Sequence, residues 1–145
     1  DAPTDANVEA YMKEFKAHNV VHLVRACECG YSTDRIIKSG VAVTDMPFPD
    51  GDPPPDAVIA RWLTLCRATF AKGNPEAHAI AVHCVAGLGR APVLVAIALI
   101  EEGLEPLEAV TKIRTKRRGA INAKQLYYLE HNYKKRGGGK PCTIM

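Results

Sequence analysis

The chain has 145 residues, 47% of them hydrophobic and 24% charged, with a formal net charge of +3. That is one domain with enough apolar material for its own core, which excludes a disordered chain, a collagen, a coiled coil and a disulfide scaffold. The longest apolar run, Ala91 to Ile100, is about half the roughly 18–20 residues that a membrane-spanning helix needs, and the small net charge gives no broad attraction to nucleic acid.

In chain order, Val8, Tyr11, Met12 and Phe15 fall at helical spacing within Thr4 to His18, with Thr4 or Asp5 as N-cap and Asn19 as stop. Val20 to Ala26 and Val41 to Thr44 read as short buried strands. The stretch from Met46 to Pro55, MPFPDGDPPP, carries five prolines and is expected to be an exposed, stiff loop. From Asp56 a helix returns, with Val58, Ile59, Trp62, Leu65, Cys66, Thr69 and Phe70 on one face and Gly73-Asn74-Pro75 as its end. Strand Ala79 to His83 then leads through a glycine-rich turn into an apolar helix, Pro92 to Ile100, closed by Gly103. Helices over Leu107 to Lys116 and Ala123 to Tyr133 follow, the second capped by Asn122. Helices alternating with short buried strands predict an α/β fold, a mostly parallel central sheet flanked by helices. The domain is expected over residues 1–133, with a flexible, glycine-containing basic tail over 134–145.

The cysteines at 27, 29, 66, 84 and 142 form no C-x-x-C pairs, and no secretory leader precedes them, so structural zinc is not expected and a reducing compartment is. The start at Asp1 reads as a processed N-terminus.

The most informative stretch is HCVAGLGR, His83 to Arg90, a C-x5-R pattern between a strand and a helix. Spacing alone is weak, because Cys29 and Arg35 satisfy it too; there the interior holds Asp34, which would repel an anion. Around Cys84, two glycines and the strand-to-helix setting make the difference. Backbone N–H groups of Val85, Ala86, Gly87, Leu88 and Gly89, together with the positive end of a helix, can converge on a dianion. The same field favours a thiolate nucleophile at Cys84, and Arg90 offers a planar fork for two phosphate oxygens. Breakdown of a phosphomonoester also needs a proton for the leaving oxygen, and the proline-rich loop supplies two candidates, Asp50 and Asp52. His83 is read as a structural hydrogen-bond partner, its side chain directed away from Cys84. No metal or other cofactor is called for.

The segments LVRACE, PFPDGDPPP, CVAGLGRAPVLVA, KRRGAINAKQL and the terminal CTIM together resemble the phosphatases of regenerating liver, prenylated members of the dual-specificity protein tyrosine phosphatase superfamily. The resemblance implies a cysteine-based phosphatase fold, Cys84 as nucleophile, Arg90 as phosphate ligand and Asp50 as general acid, with Asp52 left open as an alternative. It also implies that Cys27 forms a reversible disulfide with Cys84. Ala91 stands where most tyrosine phosphatases carry Ser or Thr, so slow breakdown of the phosphoenzyme is expected. With no Lys or Arg from Val85 to Gly89, phosphotyrosine protein is favoured over inositol lipid as substrate. CTIM fits a C-a-a-X signal for farnesylation at Cys142, with accompanying methylation, and Lys134, Lys135, Arg136 and Lys140 precede it. The expected location is the cytoplasmic face of the cell membrane or of endosomes when prenylated and the cytosol when not, with no nucleic-acid partner and homo-oligomers left open. Two functions compete: an enzyme, and a binding module that docks CNNM-type magnesium-transport mediators in the same pocket. A rhodanese-like or arsenate-reductase-like activity is disfavoured by the separate acid loop.

Overall fold

The computed structural model describes residues 2–71 and 78–136. Helix α1 (Val8–Ala17) buries Val8 and Phe15, with Tyr11 and Met12 packed beside them, as the spacing predicts. It begins later than expected. Neither Thr4 nor Asp5 caps it: the Asn7 carbonyl Oδ1 accepts from the Thr4 amide at 2.6 Å, and Asp5 instead accepts from the Ser32 amide at 2.9 Å. Asn19, with φ of 57°, ends the turn that follows in the left-handed region that Asn tolerates.

Strands β1 (Val20–Arg25), β2 (Ala42–Asp45) and β3 (Ala79–His83) form a parallel sheet in the order β2-β1-β3. Side chains alternate across the central strand. Leu23 enters a core with Val8, Phe15 and Ile36, while Val24 enters the larger core built with α3 (Asp56–Thr69) and α4 (Arg90–Glu101). Register puts Arg25 opposite both Asp45 and His83, so the three strands end at one edge and their following loops emerge side by side. That edge of a parallel sheet is where α/β proteins build their sites.

Helix α2 (Asp34–Lys38), between β1 and β2, was not predicted; its five residues are too short to declare a period, yet Ile36 is fully buried. In α3 the buried face is Val58, Ile59, Trp62, Leu63 and Cys66, whereas the expected Phe70 is 41% exposed at the helix end. The expected stop, Gly73-Asn74-Pro75, lies outside the described residues. Helix α4 is apolar nearly all round because it is the central helix, and the Trp62 indole donates to its Leu94 carbonyl at 2.7 Å. Helix α5 (Pro106–Lys116) follows, then α6 (Ala123–Tyr127), capped by Asn122 as expected. The expected continuation to Tyr133 is instead a π-helical turn over Tyr128–Asn132. The wider turn, closed by Tyr133 N–H to the Tyr128 carbonyl at 2.7 Å, lets Leu129 stay buried while the Tyr133 hydroxyl donates to Glu101 at 2.6 Å. Among the described residues no helix is long and apolar enough to cross a membrane.

Candidate active site

Strand β3 delivers Cys84 at its C-terminal end, and Arg90 is the first residue of α4. Cys84 is buried, and the loop between the two is held from outside through its carbonyl oxygens. Ala86 O accepts from Arg117 Nη2 at 2.9 Å and Leu88 O from the Ile121 amide at 2.6 Å, while Gly89 O takes the Val93 amide of the first turn of α4 at 3.0 Å. Turned this way, the loop keeps its amide edge for an oxyanion. The glycines have packing reasons beyond those read from the sequence. Gly87 sits at φ +76°, where a Cβ would meet Arg117 Nη2 at 2.6 Å, and a Cβ on Gly89 would lie 3.2 Å from Gln125 Nε2.

The bracing segment is itself strained. Ile121 adopts φ of 66°, unusual for a β-branched residue, and Arg114 fastens it by donating to the Ala120 and Ile121 carbonyls at 2.9 and 2.7 Å.

Arg90 reaches back under the proline-rich loop, and its Nη1 donates to the Phe48 carbonyl at 3.4 Å. Its Nε is buried without a hydrogen-bond acceptor, and Asp50 Oδ1 stands 3.6 Å away. A buried guanidinium N–H with no acceptor suits an anion that comes and goes. Asp52 points elsewhere: its carboxylate accepts from Lys124 Nζ at 2.6 Å, its carbonyl from Gln125 Nε2 at 3.4 Å. Asn122 Nδ2 donates to the Gly51 carbonyl at 3.3 Å, so the start of α6 positions the acid loop. The expectation of an exposed loop holds only in part: Met46, Phe48 and Pro54 anchor it in the core, while Pro47, Pro49, Asp50 and Pro55 stand out in solvent. A cleft of about 250 Å³ between the two loops is lined by Asp50, Leu88, Gly89, Asn122 and Gln125.

Cys27 follows β1 and lies in the same neighbourhood. Its Sγ is 3.2 Å from Cys29 Sγ, and its thiol is pushed up to about 12, first by burial and then by the hydrogen bond with Cys29. The charges of Arg90 and Cys84 both act on it, in opposite directions. His83 is the strut the sequence implies. Its Nδ1 donates to the Cys84 carbonyl at 3.1 Å, its Nε2 accepts from the Tyr31 hydroxyl at 2.7 Å, and burial lowers its pKa below the ordinary value. Tyr31 is in turn pushed up to about 12 by burial, and the Arg25 guanidinium stacks 5.0 Å from its ring centre while pairing with Asp45. The Cys29 and Arg35 pair is not brought together, since Arg35 binds Glu9. Cys142 lies outside the described residues.

Sequence reading missed Arg117, Ile121, Gln125 and Tyr31. Arg117, Ile121 and Gln125 stand in the KRRGAINAKQL segment with no role of their own, although Gln125 is fully buried against Gly89 and the acid loop.

Phosphoryl transfer to sulfur is the chemistry that such a loop serves, and fold and site together define a cysteine-based phosphatase. The family model for protein-tyrosine phosphatase matches residues 13–133. The chain is 52% identical to the PRL-1 phosphatase of Drosophila melanogaster over 99% of its own length and 84% of that protein. It is 49% identical to the human protein tyrosine phosphatase type IVA 3 over 88% and 73% of the two chains. The solved structure of a protein tyrosine phosphatase from Leishmania major superimposes with a TM-score of 0.79 at 44% identity, covering 92% of this chain and 85% of that one. The chain therefore belongs to the protein tyrosine phosphatase family, in its type IVA or PRL branch.

Proposed function

We propose that the chain hydrolyses phosphotyrosine in proteins by two displacements at Cys84. The thiolate attacks phosphorus, the tyrosyl oxygen leaves with the proton of Asp50, and a phosphocysteine forms. Water then attacks phosphorus, its proton returns to Asp50, and inorganic phosphate departs as the thiolate is restored. In the resting site Asp50 Oδ1 lies 3.6 Å from Arg90 Nε; an arriving dianion takes over the guanidinium, and Asp50 turns to the leaving oxygen. The observation that carries this reading is the buried Arg90 Nε without an acceptor, beside the Cys84 loop and facing Asp50 rather than Asp52. Val85 to Gly89 bring no further cation, which favours phosphotyrosine over inositol lipid.

Two finer features belong to the same reading. Ala91 offers no hydroxyl beside the loop, so the second displacement is slow, and Cys27 is the reversible disulfide partner of Cys84. Farnesylation at Cys142 would carry the chain to cytoplasmic membrane surfaces. The test is turnover of a phosphotyrosine peptide with rapid mixing. A burst of released tyrosine peptide equal to the enzyme concentration, followed by slow phosphate release, is expected. Cys84→Ser should remove the burst, and Ala91→Ser should speed the slow phase. A reaction without a burst whose slow phase ignores Ala91→Ser contradicts the reading.

Ala91 also favours a second use, docking of an acidic loop of a CNNM-type mediator in the pocket that a long-lived phosphocysteine would block. Asp50→Ala should spare such docking and stop catalysis, whereas Cys84→Asp should abolish both.

A further inference from the structure

We propose that Cys27, Cys29 and His83 form a binding site for a thiophilic metal ion of the zinc class. One ligand atom from each lies within 4.8 Å of the other two. The site escapes the usual C-x-x-C pattern because it is assembled across the sheet: Cys27 and Cys29 leave the end of β1, and His83 ends the adjacent, in-register β3.

The two sulfurs are close to the spacing such an ion needs, and the imidazole nitrogen, within 4.8 Å of both, must draw in toward about 3.6 Å. At a Zn–S distance of about 2.3 Å, tetrahedral coordination sets two sulfurs about 3.8 Å apart. The present separation of 3.2 Å must open by only roughly half an ångström. The histidine is already in the required tautomer. A carbonyl oxygen can only accept, so the contact of His83 Nδ1 with the Cys84 carbonyl fixes the proton there and makes Nε2 the nitrogen that carries a lone pair. That lone pair is now covered by the Tyr31 hydroxyl at 2.7 Å, which must swing aside and can then serve, or admit water, at the fourth position. The Nδ1–H to carbonyl bond is the outer contact that metal-bound imidazoles keep. Soft thiolates with imidazole select zinc-class ions over magnesium or calcium. On binding, both thiols lose their protons to solvent and two thiolates balance the divalent charge. Cys29 is only half-buried and gives the ion its entry.

An ion held here engages the Cys27 sulfur. It would keep Cys27 from Cys84, a consequence that rests on the disulfide pairing proposed above; the binding itself does not.

Zinc affinity of the reduced full-length chain, measured in competition with a chromophoric chelator, tests the site. One ion per chain is expected. Cys66→Ser, Cys142→Ser and Cys84→Ser should retain it, and Cys29→Ala should weaken it by more than about tenfold, since even outer-contact losses cost that much. Cobalt(II) added as a probe should give a thiolate-to-metal charge-transfer band that falls by about half in Cys29→Ala, in proportion to the thiolates lost. Zinc that is lost in Cys84→Ser and kept in Cys29→Ala would put the ion on the phosphatase sulfur and overturn the proposal. So would the absence of any bound ion.

Discussion

Asp50 and Arg90 approach to 3.6 Å, carboxylate Oδ1 to guanidinium Nε, the first side chain 82% exposed and the second 11%. One partner is thus fixed and the other is free to move with the substrate. Asp52, two residues on, is instead bound by Lys124. If Asp50 is the acid, Asp50→Asn should slow cleavage of phenyl phosphates with poor leaving groups by roughly 100-fold, the usual worth of a positioned acid. In the burst phase, esters whose phenol leaves unaided should be nearly indifferent, although their slow phase still needs Asp50 to take the water proton, and Asp52→Asn should change neither class more than about threefold. A larger leaving-group slope in Asp52→Asn than in Asp50→Asn would reverse the assignment.

The Gly87 conformation gives a second expectation. At φ +76° an alanine is strained, and its Cβ would also press on Arg117 Nη2. Gly87→Ala should therefore lower activity by more than about tenfold while costing only about 1–2 kcal/mol in denaturant unfolding, because the loop lies outside the core. Arg117→Ala relieves the clash but removes the brace on the Ala86 carbonyl. The double variant should then lose less than the product of the two single losses. Simple multiplication of the effects would mean that the two residues do not act on one another.

What could be read in the sequence follows from where each signal is stored. The Cys84 to Arg90 loop is local: residue types, glycines and the strand-to-helix change all fall within a few positions, and the structure keeps them together. The parallel sheet was legible from its β-branched runs for the same reason. Asp50 and Asp52 could not be separated, because the difference lies in Lys124 and Gln125, more than 70 residues away. Arg117 and Ile121 act through backbone carbonyls of the loop, and no residue pattern announces such a contact. The Cys27, Cys29 and His83 cluster depends on strand register, which the short strands do not declare.

The buried His83 ties the site to pH. Burial holds its folded pKa below the ordinary 6.5, so as pH falls the unfolded chain takes up the proton first. The stability this histidine contributes is complete above about pH 6.5 and drains away as pH drops through the folded value. Protonation also ends its role as acceptor for Tyr31. His22, lowered by burial in the same direction, adds to the loss. Urea midpoints measured between about pH 7.5 and 5.5 should fall in the wild type and fall less in His83→Gln, which starts less stable. Parallel pH curves for the two proteins would remove His83 as a cause.

Oxidation should proceed in a fixed order. Cys27 has its thiol pushed up to about 12 by burial and by Cys29, so it is a poor first target for peroxide. Cys84 is expected to become the sulfenic acid, and the Cys27 sulfur then attacks it, releasing water and forming the disulfide. Since the attacking thiol is so weakly acidic, closure should quicken as pH rises. Peptide mapping after mild peroxide should recover Cys27 joined to Cys84, restored by dithiol, with Cys29 as the fallback partner. In Cys27→Ser, Cys84 should run on to sulfinic acid. Finding sulfinic acid at Cys84 in both proteins alike would refute the pairing.

The last expectation concerns the tail, which beyond Arg136 lies outside the described residues. The single farnesyl chain proposed at Cys142 would give marginal, reversible membrane binding, so the preceding cations would have to add about 1 kcal/mol each at an anionic surface. Arg136 is partly committed, because its guanidinium donates to Asp56 at 2.8 Å and its amide to Glu101 at 2.8 Å. Those contacts hold the chain to the body up to that residue, and the cations at Lys134, Lys135 and Lys140 are left as the flank of the lipid. Expressed in eukaryotic cells, the protein should fractionate with membranes, and Cys142→Ser should release it to the cytosol. Neutralising Lys134 and Lys135 together should weaken binding to anionic vesicles of the farnesylated protein by roughly 30-fold and leave binding to neutral vesicles unchanged. Equal membrane fractions for wild type and Cys142→Ser would end the prenylation reading, whatever the vesicles show.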